Sequence, residues 1–84
     1  QIMDSTRLLE WLMTEKKMTI RSAKDVLSRC GRIYRMLDIG SIDRDTMETL
    51  QNNEEFKASS MFIKSQLKRT VTLCLEFMNS IEKD

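Results

Sequence analysis

Histidine and proline are absent from this 84-residue chain, glycine occurs only at Gly31 and Gly40, and aromatic residues make up 6%. Each shortage excludes something. Without histidine the commonest general base and metal ligand is missing. Without proline, and with so little glycine, a turn-rich β fold is disfavoured and helices run uninterrupted. Cysteine is limited to Cys30 and Cys74, 44 residues apart, and two such cysteines do not make a zinc site. Both fall on apolar helix positions, so they read as buried free thiols, with a disulfide between them as the alternative. No apolar run approaches the roughly 20 residues that span a bilayer, and no signal-peptide pattern opens the chain. Phosphate-binding glycine loops and the nucleophile-elbow pattern are missing too. These absences lead us to expect no catalytic residues in this segment, no cofactor, no metal, no membrane and no small-molecule substrate.

What is present fits one globular domain over residues 1–84. Hydrophobic residues at 40% against charged residues at 32% can form one modest core, and they argue against disorder. The chain begins at Gln1 without an initiator Met, so we expect it to be part of a longer protein.

Apolar spacing predicts four or five helices. The first runs from about Thr6 to Lys16, capped by Asp4 or Ser5, with Leu8, Leu9 and Leu12 on one face and Trp11 at the core edge. Thr19 caps a second helix over about Ile20 to Leu37. Its buried stripe is Ala23, Val26, Leu27, Cys30, Ile33, Tyr34 and Leu37, and Arg21, Lys24, Ser28, Arg32 and Arg35 lie opposite. Gly31 inside this helix costs about 1 kcal/mol relative to Ala and is expected to admit a close neighbouring helix. Gly40 is the expected turn residue at its end. Ser41 or Asp43 then caps a short helix to about Gln51, burying Ile42, Met47 and Leu50. Asn52-Asn53 breaks it, and the piece from Glu54 to Ala58 is anchored by Phe56. Ser59 or Ser60 caps the last helix, about Met61 to Ile81, with Ile63, Leu67, Thr70, Val71, Cys74, Phe77, Met78 and Ile81 as its stripe. Residues Glu82 to Asp84 are expected to fray. The fold class is all-α, a compact bundle of two long helices and shorter ones.

Charge is segregated although the net charge is only +1. Residues 16–35 hold Lys16, Lys17, Arg21, Lys24, Arg29, Arg32 and Arg35 against Asp25 alone. The acids Asp38, Asp43, Asp45, Glu48, Glu54 and Glu55 then crowd residues 36–56, where Arg44 stands alone among them. Residues 57–69 return to Lys57, Lys64, Lys68 and Arg69. The acidic cluster lacks EF-hand spacing and reads as a solvated surface with charges at helix N-termini. A one-sided basic surface attracts phosphates even on a near-neutral domain, because the field decays within about 8–10 Å in salt.

Three stretches resemble a known family. Leu8-Leu9-Glu10-Trp11-Leu12 is similar to an opening helix with a Trp-Leu pair. Met18-Thr19-Ile20-Arg21-Ser22-Ala23-Lys24, continued by Ile33, Tyr34 and Leu37, resembles a Thr-capped second helix. Ser59 to Phe77, with Ile63-Lys64-Ser65-Gln66-Leu67-Lys68-Arg69 and Leu75-Glu76-Phe77, resembles a final basic helix, and Ile42-Asp43 opens a short helix between them. Together they resemble the N-terminal, SAM-like core-binding domain of phage integrases and other tyrosine recombinases. That resemblance implies a clamp on duplex DNA, with the second and last long helices facing the major groove and catalysis left to a separate domain. Carried over by position, it implies nucleic-acid contacts from Arg21, Lys24, Ser28, Arg32, Arg35, Lys64 and Lys68, with Ser65 a further contact. It also implies a cytoplasmic, bacterial or phage-encoded protein. Ser22 and Asp25 depart from the family's usual Thr and Tyr, and the recombinase catalytic Arg, His and Tyr set is absent. The alternative is a non-catalytic protein-interaction module that docks through the segment Asp43 to Glu55 or through some of the seven Met residues.

Overall fold

The computed structural model describes residues 5–82, which form five helices and, among the described residues, no strand. Helix α1 spans Ser5–Thr14, α2 Ile20–Leu37, α3 Thr46–Asn52, α4 Glu54–Lys57 and α5 Met61–Glu82. Asp4, named above as a cap, and the last residues of the expected frayed end lie outside the described residues.

The helix ends follow from a few polar side chains and two left-handed residues. α1 stops earlier than its apolar spacing implies. Lys17 takes a left-handed conformation (φ 57°), and the Met18 N–H donates to the Leu12 carbonyl at 3.1 Å, which turns the chain before Thr19. Thr19 caps α2 as expected, with its hydroxyl oxygen accepting from the Ser22 N–H at 3.2 Å. At the other end of α2 the reversal falls on Asp38 (φ 56°, ψ 52°), and the Ile39 N–H donates to the Tyr34 carbonyl at 3.0 Å. Gly40, the expected turn residue, has no positive φ. Asp tolerates the left-handed region because its short carboxylate can bond locally, so the bend can form two residues before the glycine.

The start of α3 also differs from expectation. Asp43 does organise it, but from three residues ahead of the first helical residue. Its carboxylate accepts from the Asp45 N–H at 2.9 Å and the Thr46 hydroxyl at 3.2 Å, while its own N–H donates to Thr46 Oγ1 at 2.9 Å. Asn53 separates α3 from α4 and caps the latter, its Oδ1 accepting from the Phe56 N–H at 3.0 Å. The Asn53 amide also donates to the Met36 carbonyl at 3.4 Å, tying α4 to the end of α2. Ser60, of the two serines considered, caps α5 through the Ile63 N–H at 3.2 Å.

α1, α2 and α5 pack against one another, and α3 rests on α2 and α5. The buried core takes Leu8 and Leu12 from α1, then Ala23, Val26, Cys30 and Ile33 from α2. Ile42, Leu50 and Phe56 come from the connecting segment, and Leu67, Val71, Leu73, Cys74 and Phe77 from α5. Leu27, Tyr34, Leu37, Met47, Ile63 and Met78 of the expected stripes are partly buried against this core. Leu73, absent from the expected stripe, is buried because α5 is covered on more than one side, whereas Ile81 is exposed. Trp11 sits at the core edge, its ring 5.6 Å from that of Phe77 in an edge-to-face arrangement. The Lys16 ammonium lies 5.5 Å over the Trp11 ring and 3.0 Å from Glu76, so one lysine joins the end of α1 to α5.

Candidate nucleic-acid interface

At 100° per residue, Arg21, Lys24, Ser28, Arg32 and Arg35 fall within an arc of roughly 80° on α2, opposite its buried stripe. All five are exposed. Among the described residues the ion pairs are Lys16–Glu76 and Lys57–Glu54, so the four cations of this face are not neutralised by acidic side chains. Their charge has no structural partner to satisfy. A Cβ added at Gly31 would meet only the Arg35 side chain, 3.4 Å from Nη1. No neighbouring helix approaches Gly31, contrary to expectation; Arg35 folds back along its own helix over the glycine.

Between α2 and α5 runs an open groove of about 400 Å³, lined by Met18, Ser22, Asp25, Val26 and Arg29 on one side and by Phe62, Ser65, Gln66 and Arg69 on the other. Phe62 is 69% exposed and its neighbour Met61 77%, the largest apolar exposures among the described residues. The α5 cation that shares this groove with α2 is Arg69. Lys64 lies about 140° and Lys68 about 100° around α5 from Arg69. The half-buried Lys64 instead holds its ammonium 6.0 Å over the Phe56 ring of α4, and Lys68 is exposed one turn further on. Of the seven sequence-predicted residues, the five on α2 therefore share one face, while Lys64 and Lys68 lie on a flank of α5 turned from the α2–α5 groove.

Arg29, Arg69 and Phe62 were not among the expected contacts, yet they border the groove. A signal for Arg29 existed in the sequence. Ser22, Asp25 and Arg29 follow i, i+3, i+7 spacing on the border between the apolar and basic faces, where a neighbouring helix is met edge-on. Phe62, Ser65 and Arg69 repeat that i, i+3, i+7 spacing on α5, but which helix this edge meets is set by the rotation of α5 against α2, which only packing decides.

Beneath this surface the α2–α5 contact includes Cys30, Cys74 and Tyr34. Burial pushes the Tyr34 hydroxyl up to about 12, and the charges of Cys30 and Cys74 as thiolates add to the rise, so it stays neutral under ordinary conditions. Among the described residues no three Cys, Asp or Glu side chains gather as a metal site, and no helix is long and apolar enough to cross a membrane. Comparison with protein-family models, curated proteins and solved structures finds no match to this chain.

Proposed function

We propose that this chain binds duplex DNA through the exposed face of α2, as a non-catalytic domain of the core-binding type its sequence resembles. The observation that supports this most directly is the set of four exposed, unpaired cations, Arg21, Lys24, Arg32 and Arg35, on one rigid helix face. From Arg21 to Arg35 the helix rises roughly 21 Å, with Arg21 and Lys24 about one turn apart at one end and Arg32 and Arg35 about one turn apart at the other, so the face offers two pairs of cations to phosphates at separate places on a duplex. Ser28 is the one uncharged side chain among them and offers a hydrogen bond. Contacts dominated by phosphate position the domain and give weak sequence readout. Arg29 and Arg69 extend the basic surface from α2 across the groove toward α5. The domain would act in the cytoplasm of a bacterial or phage-infected cell, beside a separate catalytic domain that supplies the other half of a clamp.

An NMR titration with a short mixed-sequence duplex, at low and then higher salt, tests the reading. Shifts should centre on Arg21, Lys24, Arg32 and Arg35 and fade as salt rises, because each phosphate contact releases a counterion. A folded Lys24→Glu, Arg32→Glu variant should lose roughly tenfold or more in affinity at low salt. Unchanged affinity in that variant would overturn the proposal.

The exposed Met61 and Phe62, with Ile20 at 51% exposure, favour a second reading, a protein partner docked on the groove. Salt separates the two, since a mainly apolar interface does not weaken steeply with ionic strength.

A further inference from the structure

Cys30 and Cys74 take no part in the DNA reading, yet their placement is specific. They come from the two longest helices, 44 positions apart, and their sulfurs lie 3.0 Å from each other inside the core. Both are free and buried. A disulfide needs its sulfurs at about 2.05 Å, so roughly 1 Å of approach would close the bond. We infer that Cys30 and Cys74 form a reversible redox pair, converted by a peroxide-class oxidant into a disulfide that ties α2 to α5.

The chemistry balances in two steps. One sulfur of the pair attacks a peroxide oxygen and the O–O bond breaks, giving a sulfenic acid and one water. The other sulfur then attacks the sulfenic sulfur, expelling the hydroxyl as a second water and forming the S–S bond. Two electrons pass from the two sulfurs to the peroxide, and both thiol protons end in water. The two thiols share one hydrogen bond in which either sulfur can be the donor, so either can make the attack while the other resolves it. A dithiol reductant returns both by exchange. Hydrogen peroxide is close to water in size and can enter on small openings of the core, whereas bulkier thiol reagents need wider ones.

The disulfide would constrain the unfolded chain over a long loop and hold the two walls of the α2–α5 groove together. The test uses the whole chain. Native protein is treated with hydrogen peroxide, unfolded, alkylated and digested with trypsin. The expected product is a cross-link between the peptides Cys30–Arg32 and Thr70–Lys83, with no alkylated cysteine, reversed by dithiothreitol. The oxidised form should melt about 10 °C higher than the reduced form. Cys30→Ser and Cys74→Ser should each abolish the intramolecular cross-link. Full alkylation of both cysteines after peroxide, sulfinic acid in place of the cross-link, or an oxidised form that melts below the reduced one would overturn the inference.

Discussion

α2 and the α3–α4 segment use polar residues in opposite ways. In the α3–α4 segment they build the backbone. Asp43 and Thr46 start α3 with reciprocal hydrogen bonds, and Asn53 caps α4 while bonding the end of α2. Glu54 pairs with Lys57 at 3.6 Å. Helices of seven and four residues are too short to persist alone, so local hydrogen bonds and the anchors Leu50 and Phe56 hold them. α2 is 18 residues long, is capped by Thr19 and closed at Asp38, and buries one clean stripe. Arg35 lies in its last turn and complements the helix dipole there, but Arg21, Lys24 and Arg32 take no part in those ends or that stripe. Charge that the fold does not use is available to a ligand, and α2 gathers four unpaired cations in one arc, whereas the unpaired acids Asp45, Glu48 and Glu55 are spread over a loop and two short helices.

Stability measurements can break this contrast. The largest effect is expected at Phe56, the anchor of α4. Phe56→Ala should cost about 3–5 kcal/mol by leaving a cavity under α4, read by chemical denaturation. A loss below about 1 kcal/mol would mean that the short helices stand without their anchor. A smaller effect separates structural from spare charge. Asp43→Ala should cost about 1–2 kcal/mol, since the Asp45 N–H and the buried Thr46 hydroxyl lose their acceptor. Lys24→Ala and Arg32→Ala should each stay within about 0.5 kcal/mol of the parent. Equal losses at Asp43 and Lys24 would remove the distinction between the two regions. One further effect is a gain. Gly31→Ala should raise stability by about 0.5–1 kcal/mol, because a methyl there meets only the movable Arg35 side chain. A destabilised variant would show that a close approach at Gly31 matters after all.

Much of the fold was legible from spacing. Ala23, Val26, Cys30 and Ile33 recur at helical intervals and are buried, and Thr19 caps where a Thr before such a run should. Leu8, Leu12, Leu50, Phe56, Leu67, Val71 and Phe77 were equally readable. The misplacements share one cause. Gly40 looked like the turn because glycine adopts positive φ without cost, but Asp38 sits where the α2 stripe ends and the chain must bend toward Ile42. Leu73 looked peripheral because one stripe was expected on α5, which in fact packs against α1, α2 and α3.

The candidate interface divides in the same way. That Arg21, Lys24, Ser28, Arg32 and Arg35 share a face follows from the sequence alone, because the angle between residues of one helix is fixed by its backbone hydrogen bonds. The sequence also determined the all-helical class and the segregation of charge, and narrowed the helices to four or five. Only the tertiary structure decided that Arg29 and Arg69 line one groove, that Lys64 turns to Phe56, and that Cys30 meets Cys74. Helical periodicity is a local property of the backbone. The rotation of one helix against another comes from how buried side chains interlock across the whole core, which no short stretch of sequence contains.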